Sequence, residues 1–274
     1  MAVIRRATRN DIVGMAQVIM DAFNIERDLE YAIEVFDISL YVQPDGCFVA
    51  TENKNIVGTG CFYIYNLLAW IGEVAVIRTH QRRGIGTKIM VTLLEELKRR
   101  GVKTICLDAT DAGYRLYKKL GFREMYRTTV YELKDPYNIN KEKTIDVEVT
   151  DFLPEWAVEL DKEIFGADRI RALRAWIRRG AKVLLVHGKG YALVKRNKIG
   201  PLISKDFGVA EKLLKQGINM GANIIIVPEA NIRALELVKK YGFKPKSSCR
   251  RMCLGGKPNE KIEHIYALLS YAKG

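Results

Sequence analysis

A strand that runs into a glycine-rich turn and out into an amphipathic helix leaves a chain few ways to fold. Residues 73–97 carry that order. Glu73-Val74-Ala75-Val76-Ile77 reads as the strand and Gln81-Arg82-Arg83-Gly84-Ile85-Gly86-Thr87-Lys88 as the turn. Ile89-Met90-Val91 through Leu97 reads as the helix. A helix opened in this way begins with unpaired backbone N–H groups and the positive end of its dipole, a ready site for phosphate. Gly84 and Gly86 remove side chains where a ligand must approach the backbone. Arg82 and Arg83 add charge. The turn is not a P-loop, because the Gly-Lys-Ser/Thr ending is absent, nor a full dinucleotide fingerprint, because the third glycine position holds Ile89. Taken alone it also fits an ordinary tight turn with solvated arginines, so the rest of the chain decides.

A length of 274 residues suits one large domain or two of ordinary size. Hydrophobic content of 48% and charged content of 28% suit a globular protein. No apolar run approaches the ~18–20 residues of a membrane span, and Met1-Ala2-Val3-Ile4-Arg5-Arg6 enters a strand pattern without a secretory hydrophobic region. A cytoplasmic protein with no membrane partner is expected. The five cysteines, Cys47, Cys61, Cys106, Cys249 and Cys253, are expected to be reduced and mostly buried. Cys249 and Cys253 have no partner pair or histidine cluster, so no metal site is expected. The net charge of +13 is uneven. Residues 1–143 hold 21 Lys and Arg against 18 Asp and Glu, and residues 144–274 hold 24 against 14. A basic half can serve an anionic partner. No basic strip is interleaved with aromatics, so a solvated surface is expected in place of a nucleic-acid platform.

Read in order, Val3 to Ala7 is a strand, with Asn10 or Asp11 able to cap the helix that runs through Ile12, Met15, Val18, Ile19 and Phe23. A second helix is expected from Glu26 to about Ile38. Cys47–Thr51 and Ile56–Tyr65 form a hairpin, and Ile71–Ile77 is the next strand. The helix after the glycine turn reaches Arg100, where Gly101 stops it. A short strand at 104–107, a helix closed by Gly121 and a strand at 126–133 follow. The polar segment Asp135-Pro136-Tyr137-Asn138-Ile139-Asn140 marks a domain boundary. The domains are thus 1–135 and 145–274, joined by a linker at 136–144. The second half reads as a strand at 145–149, helices at 155–165 and 168–179, a hairpin at 183–194 and a strand at 199–202. A helix at 207–220, a strand at 224–227 and a helix at 232–241 follow. Residues 250–254 and 265–269 supply a last strand and a packing segment.

The halves repeat. Leu120-Gly121-Phe122 and Tyr241-Gly242-Phe243 each close a short helix after a buried strand. In that register Thr104-Ile105-Cys106-Leu107 falls on Ile225-Ile226-Val227-Pro228, and the helix after the glycine turn falls on the one from Phe207. Gly84 becomes Lys205, Gly86 becomes Phe207, Arg83 becomes Ser204 and Tyr117 becomes Val238. Both copies share a fold, and only the first keeps the loop chemistry.

The pattern Gln81-x-x-Gly84-x-Gly86 resembles the acetyl-CoA loop of the GNAT acyltransferases, and Leu116-Tyr117-Lys118-Lys119-Leu120-Gly121-Phe122 resembles the Leu-Tyr-x-x-x-Gly-Phe segment of that superfamily. Ile4-Arg5-Arg6-Ala7-Thr8 with Asp11 is similar to its opening. The resemblance covers residues 2–133 well, and the second half looks like a degenerate tandem copy. It departs at Thr110, where the superfamily often has Asn (the second copy keeps Asn231), and at Arg78, where a proline is common. The implied fold is α/β (α+β): tandem GNAT-like domains, each a mixed, mostly antiparallel twisted sheet flanked by helices.

The resemblance implies an acetyl-CoA-dependent N-acetyltransferase acting on a primary amine. Backbone N–H groups of Arg82, Arg83, Gly84, Ile85, Gly86 and Thr87 would hold the CoA pyrophosphate. The pantetheine arm would lie along Val74, Ala75 and Val76, with Thr110 and Gly113 also on the cofactor side. An N–H near Val76 would polarise the thioester carbonyl. The amine attacks directly, and Tyr117 protonates the departing thiolate. Glu73 is either the base that takes the amine's proton or a surface carboxylate at a strand edge. Asp108 and Asp111 are weaker alternatives, Asp111 being better suited to capping the short helix. His80 reads as a solvated turn residue, His187 and His264 as structural. Asp168-Arg169 with Arg171, Arg174 and Arg178 either lines a substrate cleft or is a solvated face. The alternative function is a non-catalytic protein that senses CoA or uses its basic second half on nucleic acid.

Overall fold

The computed structural model describes residues 2–24, 28–134 and 146–274. These divide into two compact units, one up to Leu107 with Lys273, the other from Asp108 to Ala272 with Gly274.

The first unit starts with β1 (Val3–Arg6), α1 (Ile12–Phe23) and α2 (Leu29–Val42). The second helix starts later than its sequence pattern suggests, because Asp28 caps it by accepting the Tyr31 N–H at 2.8 Å, and it also runs on further, to Val42; residues 26–27 of the expected helix lie outside the described residues. The antiparallel strands β2 (Cys47–Glu52), β3 (Asn55–Tyr65) and β4 (Leu68–Val76) follow. Then come α3 (Ile85–Arg99) and β5 (Thr104–Ala109), whose last two residues belong to the second unit. The strand order is β1-β2-β3-β4-β5, antiparallel except for the parallel pair β4–β5. Helix α3 buries Ile85, Ile89, Met90, Leu93 and Leu97. Each such side chain is worth roughly 1.5–3 kcal/mol, far more than the ~1 kcal/mol lost by a glycine such as Gly86 in a helix. The helix can lie this close because Gly60 on β3 has no side chain: a Cβ there would stand 2.6 Å from the Ile89 Cγ2 atom.

The opening of the chain is tied by Asp11. Its carboxylate accepts from the Arg5 guanidinium at 2.7 and 2.8 Å and from the Thr8 N–H at 2.7 Å. The cap here is Thr8, which precedes a 3-10 turn at Arg9–Asp11, and Asp11 at the start of α1 makes no side-chain cap bond. Arg5 first of all holds the Asp11 carboxyl at about 2 against an ordinary 3.8. A depressed carboxylate contributes stability that is whole above its unfolded value and is lost as pH falls through the folded one. Asp11→Asn should therefore cost about 1–2 kcal/mol at neutral pH. In urea melts the gap between variant and wild type should close as the pH drops from about 4 to about 2. A gap independent of pH would assign Asp11 no such role.

The second unit contains α4 (Asp111–Lys119), β6 (Arg123–Glu132), β7 (Glu148–Thr150), α5 (Glu155–Phe165) and α6 (Ile170–Arg178). Next are β8 (Lys182–Val186), β9 (Gly190–Lys195), β10 (Lys198–Ser204) and α7 (Phe207–Asn219). β11 (Ile224–Pro228), α8 (Ile232–Lys240), β12 (Lys244–Gly255) and β13 (Ile265–Ala267) complete it. Strands β7-β8-β9-β10-β11 repeat the order of β1 to β5, again with one parallel pair, β10–β11. β13 adds to β10.

The repeat is visible at 121-residue spacing: α4 matches α8, β6 matches β12, and the helix caps Thr110 and Asn231 correspond. One strand of the first copy pairs with strands of the second. β6, the last strand of the first copy, lies between β11 and β12 and is antiparallel to both, with Val130 opposite Ile226 and Ser247. The compact units consequently divide at Leu107/Asp108, upstream of the boundary that the polar segment suggests. The linker 136–144 lies outside the described residues, as does Ile145 of the expected strand, which runs Glu148–Thr150.

The cysteines depart from expectation. Cys47, Cys61 and Cys249 are free and buried, but Cys106 and Cys253 are disulfide-bonded. No helix among the described residues is long and apolar enough to cross a membrane.

Candidate active site

The turn between β4 and α3 takes the form needed to present backbone donors. Gly84 is the residue before the first turn of α3, at φ 78° and ψ 1°, a left-handed conformation that side chains resist. A Cβ at Gly84 would meet nothing within 4 Å. The glycine is therefore required by its backbone angle, and the space before it is open. Ile85 anchors the turn in the core, while Arg82, Arg83, Gly84 and Thr87 are exposed and Gly86 is half-buried. The N–H groups of Ile85, Gly86 and Thr87 lead the helix, where no intrahelical acceptor precedes them. Gln81 ties the turn to the strand: its Nε2 donates to the Val76 carbonyl at 3.0 Å. Arg83 and His80 flank Glu52 at 3.2 and 3.1 Å, so His80 is paired.

β4 separates from β5 before it reaches the turn. The pairing covers Leu68–Trp70 against Thr104–Cys106. Beyond it β4 carries a bulge, since Cys61 faces Gly72 whereas Thr59 faces Ala75. Ile77 donates its N–H to Val57 on β3. Antiparallel alternation then turns the backbone groups of Val76 and Val74 the other way, toward the side where the β5 pairing has ended. This is an edge on which an extended amide-bearing arm can add as a strand.

Glu73 sits at the bulge, at φ 51°, an uncommon angle for a residue with a side chain and one found at functional sites. It is no surface carboxylate: its side chain is 7% exposed. Lys273 Nζ donates to Oε1 at 2.7 Å, and the Tyr63 hydroxyl to Oε2 at 2.7 Å. Sequence reading found neither partner, and Lys273 is 200 residues away along the chain.

Thr110, Gly113 and Tyr117 come together on α4, in the second unit. Thr110, and not Asp111, caps the helix, its Oγ1 accepting the Gly113 N–H at 3.4 Å. Asp111 is exposed and pairs with Arg250. The Tyr117 ring lies over Gly113: a Cβ on that glycine would be 2.6 Å from Cε2 and 3.2 Å from the hydroxyl oxygen. Tyr117 also packs on Phe122, with ring centroids 6.1 Å apart. Burial, with a smaller effect of Cys249, pushes its phenol up to about 12, so it carries its proton at neutral pH.

Two acidic or basic alternatives are structural. The Asp108 side chain is fully buried, gripped by Arg251 at 3.0 and 3.1 Å and accepting from the Thr128 hydroxyl at 2.7 Å. Arg169 does not line a cleft: it is 2% exposed and makes two bonds to Asp161, at 2.8 and 3.0 Å. His187 packs edge-on against Trp156.

The second copy differs at each of these positions. Between β10 and α7 the connection is two residues, Lys205 and Asp206, where 77–84 joins β4 to α3. Asp206 caps α7 with its own carboxylate, accepting the Val209 N–H at 2.9 Å. A helix end already holding a negative group repels a phosphate. The matching bulge of β10 carries Gly200-Pro201, so no carboxylate stands where Glu73 does. Val238 replaces Tyr117 and is buried in the core.

Residues 10–122 match the acetyltransferase (GNAT) family and residues 157–267 the acetyltransferase (GNAT) domain. A Pyrococcus horikoshii protein assigned to the acetyltransferases is 45% identical, with a TM-score of 0.95 over 100% of this chain and 96% of its own. The chain belongs to the GNAT acetyltransferases. N-alpha-acetyltransferase 30 of Schizosaccharomyces pombe is 27% identical to this GNAT chain over 116 residues, 38% of the chain and 77% of that protein. The ribosomal protein bS18-alanine N-acetyltransferase of Escherichia coli is 31% identical over 80 residues, 28% of the chain and 54% of that enzyme. This GNAT protein is thus a tandem-domain N-acetyltransferase of a family that uses acetyl-CoA as co-substrate. Its first-copy turn fits a pyrophosphate: a side-chain-free position opening on space, leading N–H groups and two exposed arginines.

Proposed function

We propose that the chain moves the acetyl group of acetyl-CoA onto a primary amine by direct attack, using its first copy alone. The observation that carries this reading is Gly84, left-handed, open to solvent and leading α3, after the stretch of β4 that runs on beyond its β5 pairing. Residues 82–87 hold the pyrophosphate through backbone N–H groups. Val74 and Val76 align the pantetheine arm, and the Val76 N–H polarises the thioester carbonyl. Glu73, 2.7 Å from the Lys273 ammonium, takes the amine's proton directly or through water. A new C–N bond forms as the C–S bond breaks. Tyr117, assigned by its motif, donates its hydroxyl hydrogen to the departing sulfur. A phenol near 12 is a weaker acid than a thiol of ordinary value near ~8.5. Its contribution is accordingly a hydrogen bond that strengthens as negative charge gathers on sulfur.

The α-amine of a peptide is the acceptor class to test first, because both curated relatives are named for N-terminal or alanine acetylation. A synthetic peptide beginning with Ala, incubated with acetyl-CoA and the protein, should gain one acetyl group by mass spectrometry. The same peptide with a blocked N-terminus and no lysine should gain none. Equal labelling of both would refute attack by a primary amine.

A further inference from the structure

Glu73 is the end of a buried series of polar groups in the first unit. Lys273 Nζ is 2.7 Å from Oε1, and the Lys273 side chain is 3% exposed. The same ammonium lies 4.5 Å from the centre of the Tyr63 ring. On the other oxygen, Oε2, the contact to the Tyr63 hydroxyl is 2.7 Å. Tyr63 is 2.7 Å from Ser39 Oγ on α2, and Ser39 Oγ is 2.7 Å from the Val35 carbonyl. The thiols of Cys61 on β3 and Cys47 on β2 also lie beside these groups. Burial pushes both the Tyr63 phenol and the Cys61 thiol well above their ordinary values, so neither supplies charge.

Counting hydrogens separates the two states of Glu73. The series Oε2, Tyr63, Ser39, Val35 has three short oxygen–oxygen contacts. Tyr63 and Ser39 bring two hydroxyl hydrogens between them. While Glu73 is a carboxylate, Tyr63 donates to it and one of the three contacts has no hydrogen. Once Glu73 is protonated, it donates to Tyr63, Tyr63 turns to Ser39 and Ser39 to the Val35 carbonyl, and all three are bonded. The ammonium favours the first state and the hydroxyl series the second.

We propose that Lys273, Tyr63 and Ser39 are positioning residues for Glu73: the Lys273 ammonium holds it as the carboxylate that takes the amine's proton, and the two hydroxyls hold that proton once taken. This rests on Glu73 being the base. In the step, an N–H bond of the attacking amine breaks and an O–H bond forms at Glu73. The proton leaves to solvent after the product, and Tyr63 and Ser39 turn back.

The test is the pH profile of kcat/KM for acetylation of the Ala-starting peptide. Lys273→Met should move the acidic limb up by about one pH unit or more, which lowers kcat/KM about tenfold on that limb. KM for acetyl-CoA should stay within about twofold, the mark of a change outside cofactor binding. Lys273→Arg should restore the limb. Ser39→Ala removes the group that receives the Tyr63 hydrogen, and should move the limb the opposite way, to lower pH.

Glu73→Gln separates the two readings. If it keeps wild-type turnover and profile, Glu73 is not the base. If it loses turnover while Lys273→Met keeps the wild-type profile, the base stands and the role of Lys273 is overturned. The double variant Glu73→Gln with Lys273→Met leaves no unpaired buried charge, so it serves if Lys273→Met does not fold. Turnover equal to that of Glu73→Gln alone supports action through Glu73. A further loss of more than about tenfold contradicts it.

Discussion

Replacing Gly84 by valine should weaken acetyl-CoA binding by about 100-fold or more, a loss of about 2.7 kcal/mol, in a chain that still folds. Two effects combine. Gly84 stands at φ 78°, where a side chain costs about 1–2 kcal/mol, and a β-branched one is the most restricted. A chain that escapes this strain must rotate the turn, and the N–H groups of Ile85 to Thr87 then aim elsewhere. If the turn holds, the valine side chain stands in the open space before the helix. Nothing in the core touches that position, so the thermal midpoint should fall by only a few degrees. Lys205, which falls on Gly84 in the sequence register of the repeat, is the control: Lys205→Ala should leave acetyl-CoA affinity unchanged.

Tyr117→Phe should lower kcat by about 10²-fold, the usual scale for a donor aimed at developing charge, with KM for acetyl-CoA within about threefold. The ring packs on Gly113 and Phe122, and phenylalanine keeps both contacts. Only the hydroxyl is removed. Gly113→Ala supplies an independent check with the phenol intact. A methyl group 2.6 Å from Cε2 must push the ring aside. Alanine improves helix propensity by about 1 kcal/mol, which offsets part of the crowding. The variant should thus fold well and turn over slowly. Normal turnover in both variants would remove Tyr117 from the reaction.

What could be read from the sequence was local or repeated. The hairpins, the helix at 155–165 and the pairing of α4 with α8 follow from periodicity and from Gly121 and Gly242, which stop the two helices. Gly84 was legible because a left-handed turn before a helix demands glycine. The exchange of β6 was not. β6 and β12 occupy the same place in the repeat, and nothing in their patterns says which copy's sheet each will join. The start of β12 was also hidden, because Lys244 to Ser248 are exposed and polar and are held by backbone pairing to β6.

The surroundings of Glu73 were illegible for a different reason. Its partners are Tyr63 and Lys273, with Ser39 behind Tyr63, and no spacing rule joins them. The bulge that turns Glu73 inward depends on a one-residue difference in register between β3 and β4, which hydrophobic alternation does not encode. Asp108 and Arg169 look functional in sequence because they are charged. Burial with a matched partner gives them structural work.

The central claim is that one copy of the tandem binds the co-substrate and the other has lost the means. Isothermal titration of acetyl-CoA into the wild-type chain should give one molecule bound per chain, and Gly84→Val should abolish that heat at the same concentrations. Two molecules per chain, or a single site that survives Gly84→Val, would contradict it.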